Sequence, residues 1–267
     1  GGMGSITQAM SKSLAASGGE IRAGKGVDRV LVRNGRAVGV ILDGGDEIHG
    51  KLVVSNMDVK RTFLKTVEEK ELPAAFVKQV KNFKIRGSSG KVNIALDGVP
   101  NFKALPKDSP CYRGDLHFTD SIERMERAYD DWKAGRWSRD PFQDTMIPTL
   151  IDPTMTPPGK HFMSCFVQYA PPQINGGEWS DKDRDDFGKT VINQIASYAP
   201  GFKDLILHME VRTPRELERE VGLTEGNIFQ GELTFDQLLF NRPVPGASQY
   251  RSPIKDLWMC GSSTHPG

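Results

Sequence analysis

The dipeptide Asn34-Gly35 constrains the fold of this chain more than any other feature of its sequence. It separates two runs rich in β-branched residues, 27–33 and 37–42, and both residues of the pair readily take the positive φ that a type I′ turn requires. The sequence therefore predicts a β-hairpin at this point. A further short strand is expected just before it, over residues 20–23.

The hairpin is expected to belong to a β-rich unit that covers residues 1–58. A turn over 43–46 leads to a strand over 51–55, and the polar Asn56 ends that strand. Asp58 is well placed to cap the helix that follows, because an aspartate side chain accepts hydrogen bonds from the first backbone N–H groups of a helix.

From residue 59 the pattern changes to helices and separated strands. Helical spacing covers 73–82 and 120–132, and strands are expected over 91–96, 146–151 and 162–169. Two capping-box patterns, Ser180 with Asp183 and Thr213 with Glu216, open further helices. The first of these helices is expected to bury one apolar face, formed by Phe187, Val191, Ile195 and Tyr198. This part of the chain therefore predicts a lobe of mixed α+β structure over 59–245.

Glycine-rich segments lie near both ends of the chain. Leu257 to Cys260 predicts a buried strand, and the turn 261–264 after it is small and polar. Such a turn can leave backbone N–H groups free for a phosphate or a ring carbonyl, although many turns of this kind are only strand exits. At the other end, 1–4 leads into a helix that Gly18-Gly19 ends, without the spacing of a G-x-G-x-x-G fingerprint.

Composition excludes several classes of function. Lys plus Arg number 35 and Asp plus Glu 34, so the charge balance gives no electrostatic argument for nucleic acid. No apolar run approaches the roughly 20 residues of a membrane-spanning helix, which leaves only peripheral membrane contact open. The three cysteines are far apart and no two histidines have metal-ligand spacing, so we expect reduced thiols, no metal site, and a cytoplasmic or organelle-matrix location.

Taken together, these segments resemble the second half of a phytoene-desaturase-type flavoprotein, a family of FAD-dependent carotenoid desaturases and amine-oxidase-like enzymes. The similar segments are the glycine-rich start 1–4, the strands 25–30 and 52–58, the clusters 222–229, 233–239, 242–245 and 250–253, and the C-terminal motif. The clusters between 222 and 253 are similar to one branch of the family and are the most specific part of the resemblance.

The resemblance implies a domain organisation and a set of cofactor contacts. Residues 1–58 and 246–267 would be parts of an FAD-binding domain, and 59–245 a substrate-binding domain. The backbone of Val27 would contact the adenine of FAD. The ring and ribityl end would lie against Gly261, Ser262, Pro266 and Gly267, with Gly2 and Gly4 as further candidates. Because the family's N-terminal dinucleotide fingerprint is not in these residues, the chain is expected to be a fragment that binds FAD weakly on its own.

The function implied by the resemblance is hydride removal from an apolar, isoprenoid-like substrate by FAD. Such chemistry needs no protein nucleophile, so no catalytic acid or base is assigned. His265 is the one titratable residue near the expected flavin edge, and a purely structural role for it remains an alternative. Two other functions stay open: a catalytically silent scaffold protein, and a lipid-binding module without flavin. The oligomeric state is not predicted.

Overall fold

The computed structural model describes residues 1–265, and the chain divides into two compact units. One unit, here called the sheet unit, comprises Gly1–Ile21 and Ser88–Glu216. The other, the hairpin unit, comprises Arg22–Gly87 and the chain from Leu217 onward. Both combine helices and strands, so the predicted mixed α+β fold class is confirmed. These boundaries do not coincide with the predicted ones after residues 58 and 245, and the N-terminal helix belongs to the sheet unit.

The elements within residues 1–265 are numbered in chain order. The helices are α1 (Gly4–Ala16), α2 (Ala74–Asn82), α3 (Ile122–Lys133), α4 (Asp181–Tyr198) and α5 (Pro214–Glu216). The strands are β1 (Val27–Arg33), β2 (Arg36–Leu42), β3 (Glu47–His49), β4 (Val53–Ser55), β5 (Ser89–Leu96), β6 (Leu116–His117), β7 (Phe142–Met146), β8 (His161–Gln168), β9 (Ile206–Arg212) and β10 (Leu257–Met259). Short 3-10 or π-helical turns cover Arg61–Lys65, Glu69–Glu71, Pro110–Arg113, Pro148–Leu150, Pro153–Met155, Phe202–Leu205, Leu217–Val221, Thr224–Gly226, Phe235–Gln237 and Leu239–Asn241.

The sheet unit is built on a five-stranded antiparallel sheet with the strand order β6-β7-β8-β5-β9. Along β5, Val92, Ile94 and Leu96 are completely buried, whereas the residues between them are half-buried, as expected for a strand with one face in a core. The predicted apolar face of α4 contributes to the same core, and its Phe187, Val191 and Ile195 are fully buried while Tyr198 is only partly buried. The predicted capping box that opens α4 is confirmed.

The hairpin unit contains the β1–β2 hairpin, with β3 as a third antiparallel strand. Asn34 and Gly35 both have positive φ, 51° and 71°, which confirms the predicted turn conformation. The predicted strand before the 261–264 turn is confirmed as β10, which pairs in parallel with β4. Ala37 donates its N–H to the carbonyl of Lys255 over 2.8 Å, so the hairpin and the segment before β10 are in direct contact.

Two local predictions are wrong and one strand was not predicted, each for a physical reason. Residues 20–23 form no strand, because they lie between Gly18 and Gly24, whose positive φ values of 83° and 71° turn the chain on either side. The strand expected over 146–151 ends at Met146, since Pro148 lacks a backbone N–H and begins a 3-10 turn. Strand β3 was missed because its three residues follow directly after the glycine-rich turn at 43–46.

The predicted N-terminal helix is confirmed as α1, but its apolar side chains are not buried. Ile6, Met10 and Leu14 are 53%, 66% and 47% exposed. Within residues 1–265, no helix is both long enough and apolar enough to cross a bilayer. In the same described range, no group of three or more His, Cys, Asp or Glu side chains is arranged to hold a metal ion.

Candidate functional site

The candidate site lies where the parallel strands β4 and β10 end. Their register pairs Leu257 with Val53 and Met259 with Ser55, so both strands reach their carboxyl ends at the same edge. Asn56 follows one strand there, and the turn 261–264 follows the other after Cys260. The carboxyl edge of neighbouring parallel strands is where open α/β sheets bind their ligands. The structure therefore brings two of the predicted site residues, Gly261 and Ser262, to such an edge.

Hydrogen bonds within the turn show which of its donors are used. The carbonyl of Gly261 accepts the N–H groups of Thr264 and His265 over 3.0 and 3.1 Å, and also the hydroxyl of Thr264 over 2.7 Å. Ser263 donates its N–H to Oε1 of Gln230 over 3.3 Å. Among the residues that the structure describes, the N–H groups of Gly261 and Ser262 have no acceptor. These two groups are therefore available to a ligand.

The backbone conformation of Gly261 favours a glycine. Its φ of +89° is a backbone conformation that residues with a Cβ rarely adopt. A Cβ at this position would lie 3.3 Å from Oε1 of Gln230 and 3.5 Å from the carbonyl oxygen of Asn56. The exposed backbone at this position is thus open to close approach by a ligand.

Ser263 and Gln230 fix the turn to the strand edge. The buried Ser263 hydroxyl donates to the carbonyl of Gln230 over 2.7 Å and accepts the N–H of Val59 over 3.1 Å. The Gln230 side chain in turn donates to the carbonyl of Asn56 over 3.3 Å. The turn is consequently tied to two distant parts of the sequence, the backbone at Val59 and Gln230, and its backbone donors are preorganised.

Arg242 holds the same turn from inside the unit, and its side chain is completely buried. Its guanidinium group donates to five backbone carbonyls, those of Ser262 (2.7 Å), Glu232 (3.1 Å), Gln237 (3.2 Å), Phe229 (2.7 Å) and Gly231 (3.2 Å). Burial lowers the pKa of Arg242 to about 10, so the group is still charged at neutral pH. The carbonyls therefore take the place of water around a buried cation.

Sequence reasoning did not assign a role to Arg242, Gln230 or Ser263. Arg242 is part of the cluster 242–245, and nothing in its spacing shows that an arginine there is buried. A residue whose partners are backbone carbonyls leaves no pattern of complementary side chains in a sequence. The one available signal was its position beside Pro243 within the most specific part of the resemblance.

Asp58 acts as the predicted cap. Its carboxylate accepts the N–H of Arg61 over 2.9 Å and the hydroxyl of Thr224 over 2.6 Å. The helical segment that follows β4 is therefore fixed at its first turn, close in sequence to Asn56. Asp58 thus links β4 to the 3-10 turn at Thr224–Gly226.

Val27 lies in the same unit, away from the contact with Lys255. It is the first residue of β1, is 39% exposed and pairs with Leu42. The opposite end of the hairpin, at Arg36 and Ala37, is the end that contacts Lys255. The structure therefore places Val27 and Lys255 at opposite ends of the hairpin.

Gly2 and Gly4 belong to the sheet unit, where the N–H of Gly2 donates to the Asp152 carboxylate over 3.3 Å and Gly4 begins α1. Pro266 and Gly267 lie outside the described residues. His265 is exposed directly after the turn.

The residues at the β4–β10 edge fit the ring end of a flavin. The N–H groups of Gly261 and Ser262 have no acceptor within the described residues, and Gly261 has no Cβ to keep a ligand away. A ring carbonyl or a ribityl hydroxyl of a flavin can accept hydrogen bonds from such groups. The donors are held by Ser263, Gln230 and Arg242, so little ordering would accompany binding. A cradle for the pyrophosphate of FAD is not recognisable in this chain, because no strand is followed by G-x-G-x-x-G.

No protein-family model matches the chain, but individual proteins do. It is 39% identical over 276 residues to the rat and mouse pyridine nucleotide-disulfide oxidoreductase domain-containing protein 2, covering 100% of this chain and 47% of each relative. It is 30% identical to the chloroplastic prolycopene isomerase of Daucus carota, of which it covers 40%. The chain thus spans about half the length, or less, of the curated relatives that it matches.

Solved structures show the same fold at lower identity. An oxidoreductase from Methanosarcina mazei superposes with a TM-score of 0.56 at 20% identity, over 97% of this chain and 48% of that one. A triple mutant of putrescine oxidase gives a TM-score of 0.56 at 12% identity, over 98% and 47% of the two chains. At such identities the likeness concerns the fold.

Proposed function

We propose that this chain forms part of an FAD-dependent oxidoreductase and supplies the contacts to the ring end of its flavin. The chain is related to the phytoene-desaturase-like FAD-dependent oxidoreductases, and its curated relatives confirm that resemblance. The observation that carries the proposal is the turn 261–264, where two N–H groups that have no acceptor within residues 1–265 lie at the carboxyl edge of β4 and β10.

In this proposal each candidate residue has a defined task. Gly261 and Ser262 donate backbone hydrogen bonds to a flavin carbonyl or ribityl hydroxyl, and Pro266 and Gly267 continue that contact. The backbone of Val27 contacts the adenine. Gly2 and Gly4 would approach the cofactor from the N-terminal side. When bound, the isoalloxazine ring supplies the hydride acceptor, while the protein binds and orients it and excludes water.

The proposed substrate is apolar and isoprenoid-like. Support comes from the name of the prolycopene isomerase relative. We propose that residues 59–245 supply the substrate-binding part, and that 1–58 and 246–267 complete the flavin-binding part. The isolated chain is expected to be inactive.

FAD titration of both the isolated chain and the full-length protein tests the proposal. The pyrophosphate carries the charge of the cofactor, and its usual cradle of glycine amides at a helix N-terminus is not recognisable in this sequence. We therefore expect the full-length protein to bind FAD and absorb at about 450 nm, and the isolated chain to bind only weakly. Stoichiometric, submicromolar binding by the isolated chain would show that a complete FAD site lies within these residues.

Two other outcomes would replace the proposal. A full-length protein that binds neither FAD nor a lipid would favour a non-catalytic scaffold. A protein that binds no flavin but co-purifies with lipids, detected by extraction and mass spectrometry, would favour a lipid-binding module.

The proposed location is the cytoplasm or an organelle matrix, with peripheral membrane contact. The prolycopene isomerase relatives are named as chloroplastic proteins. Cell fractionation, followed by a salt wash of the membrane fraction, tests this location.

A further inference from the structure

The five-stranded sheet of the sheet unit has two different faces. One face carries Val92, Ile94 and Cys165 into the core. The other face, here called the Lys91 face, carries alternate residues of the same strands, placed by the register of β5, β7, β8 and β9. These residues are Lys91, Asn93, Phe142, Asp144, Met146, Phe162, Ser164, Phe166, Gln168, His208, Glu210 and Arg212. Apart from Ser164, they are half-buried or exposed.

Lys91 lies on the central strand of this face and is half-buried. Its ammonium group contacts the hydroxyl of Ser164 over 2.5 Å. Among the described residues, no carboxylate lies within ion-pairing distance of its Nζ. Burial lowers the pKa of Lys91, as expected where a charged group loses water without gaining a counter-ion. An ammonium group has three donors, so most of its hydrogen-bonding capacity is not used within the protein.

The acidic residues of this face already have other partners. Glu210 pairs with Arg212 over 2.9 Å and accepts a hydrogen bond from the amide of Asn93 over 3.0 Å. Asp144 lies 3.1 Å from the ring of His117. The positive charge of Lys91 is therefore not neutralised by the nearest acids of its own sheet.

Asn93, on the same face, also has hydrogen-bonding capacity that the described residues do not use. Its side-chain oxygen is buried and has no hydrogen-bond donor within the described structure. It lies two residues from Lys91 on the same strand and on the same face, and it pairs in register with Ser164. An unpaired buried acceptor is unusual and calls for a partner. The Lys91 face thus combines a cation whose protein partner within the described residues is the Ser164 hydroxyl and a buried amide oxygen that needs a hydrogen-bond donor. A carboxylate would pair with the cation and not with this oxygen.

The surroundings of this polar group are apolar. Phe166 pairs in register with Lys91, Met146 with Ser164, and Phe162 lies farther along the same face. A pure hydrocarbon that covered these side chains would remove water from an unpaired ammonium group, which is unfavourable. A carboxylate would instead supply the missing counter-ion and accept the remaining N–H donors.

We propose that the Lys91 face binds an apolar ligand that carries one carboxylate, with Lys91 and Ser164 holding the carboxylate and Phe162, Phe166 and Met146 contacting the apolar chain. The identification of this ligand as the substrate rests on the proposed function, but its binding does not require flavin. The proposal narrows the substrate class from a hydrocarbon to an amphipathic acid.

Calorimetry with two matched probes tests the proposal. Dodecanoate and 1-dodecanol, both below their aggregation concentrations, have the same chain and differ in the head group. We expect the chain to bind dodecanoate at least about tenfold more tightly, in line with one charge-assisted contact. Equal affinities, or no binding of dodecanoate, would overturn the proposal.

Variants test which residues cause the preference for dodecanoate over 1-dodecanol. Lys91→Met should remove the preference for dodecanoate, Ser164→Ala should weaken it, and Lys91→Arg should keep it. Lys203→Met, at an exposed lysine of the same unit, is the matched control and should leave the preference unchanged. A Lys91→Met variant that retains the preference would show that another group binds the carboxylate.

A measurement on the unmodified protein covers the case in which a variant does not fold. An N-hydroxysuccinimide ester should acetylate Lys91, and peptide mass spectrometry measures the rate of this reaction. We expect dodecanoate to slow the acetylation of Lys91 at least about fivefold more than 1-dodecanol does. Equal protection by both probes would contradict the proposal. Because these experiments contain no flavin, their failure is separable from a failure of the full-length protein to bind FAD.

Discussion

Arg242 in the hairpin unit and Lys91 in the sheet unit are two cations that folding removes from water, with different outcomes. Arg242 is completely buried, and its guanidinium group donates to five backbone carbonyls. Lys91 is only half-buried, yet among the residues that the structure describes its ammonium group has one hydrogen-bond partner, the hydroxyl of Ser164. The more deeply buried charge is thus the better satisfied one.

This contrast separates structural from binding roles. A buried charge whose donors are all used contributes to the fold, because its partners are fixed before any ligand arrives. A charge that remains short of partners is costly to the folded protein unless a ligand supplies them. Arg242 therefore belongs to the framework of the 261–264 turn, and Lys91 to a surface that a ligand completes.

The largest effect is expected for Arg242→Met. The substitution leaves five carbonyls without their donor, and we expect it to destabilise the hairpin unit by about 3–5 kcal/mol. Tryptophan positions allow each unit to be followed separately, because Trp258 lies in the hairpin unit and the other three tryptophans lie in the sheet unit. Fluorine NMR of fluorotryptophan-labelled protein in increasing urea is the measurement.

Arg251→Met is the matched control for this prediction. Arg251 is exposed and lies over the Trp258 ring at 5.5 Å, so its loss should cost less than about 1 kcal/mol. If both variants unfold the hairpin unit at the same urea concentration as the wild type, the carbonyl cluster around Arg242 does not stabilise the turn.

The contrast also shows how far the sequence predicts this molecule. Local signals were sufficient for the Asn34-Gly35 turn, the α4 capping box and strand β10, because each depends on neighbouring residues. The partners of Arg242 come from carbonyls at five positions, which no side-chain pattern encodes. The sequence therefore predicted the position of the turn 261–264 but not what holds it.

The same reasoning applies to the surface of the sheet unit. Alternation along β5 predicts that Lys91 faces away from the core, but the lack of a counter-ion depends on which residues pair across three other strands. Likewise, the apolar face of α1 predicts a helix without showing whether anything covers it. Long-range pairing decides both questions, and it is the part that sequence patterns specify least.

A smaller effect is expected from Glu216, a satisfied charge in the sheet unit. Burial alone would raise the pKa of Glu216, but hydrogen bonds from Thr213 (3.0 Å from its N–H) and Arg215 (2.8 Å) outweigh burial, and the pKa lies below its ordinary value of 4.5. Glu216→Gln should therefore cost about 1–2 kcal/mol at neutral pH.

The stabilisation that the Glu216 carboxylate provides should decrease as the pH falls. Because folding lowers the pKa, the carboxylate stabilises the protein fully above 4.5, and this contribution disappears as the pH falls through the folded-state value. Urea unfolding of the wild type and Glu216→Gln should converge in acid. A difference that stays constant down to pH about 3 would mean that the charge of Glu216 is not what stabilises the helix start.

Gly261→Ala addresses the turn that Arg242 holds. At a φ of +89°, alanine should cost about 1 kcal/mol of stability. The new methyl group would also lie 3.3 Å from Oε1 of Gln230, whose side chain fixes the turn, so the full-length protein should bind FAD less tightly. Gly246→Ala is the control, because its φ is +87° but a Cβ there meets nothing within 4 Å. Equal FAD affinities for both variants would argue against a flavin contact at Gly261.

The smallest effect on stability is expected for Lys91→Met. Unlike Arg242→Met, this substitution should not destabilise the protein. Removing a half-buried ammonium group that has one hydroxyl partner eliminates the cost of its desolvation and loses little favourable interaction. The free energy of unfolding should therefore change by less than about 0.5 kcal/mol or rise slightly. The tryptophans of the sheet unit report this change in the same urea experiment. A loss as large as that of Arg242→Met would show that Lys91 has structural partners and would remove the reason for placing a carboxylate beside it. A small change in stability together with loss of the dodecanoate preference would instead separate ligand binding from folding at this lysine.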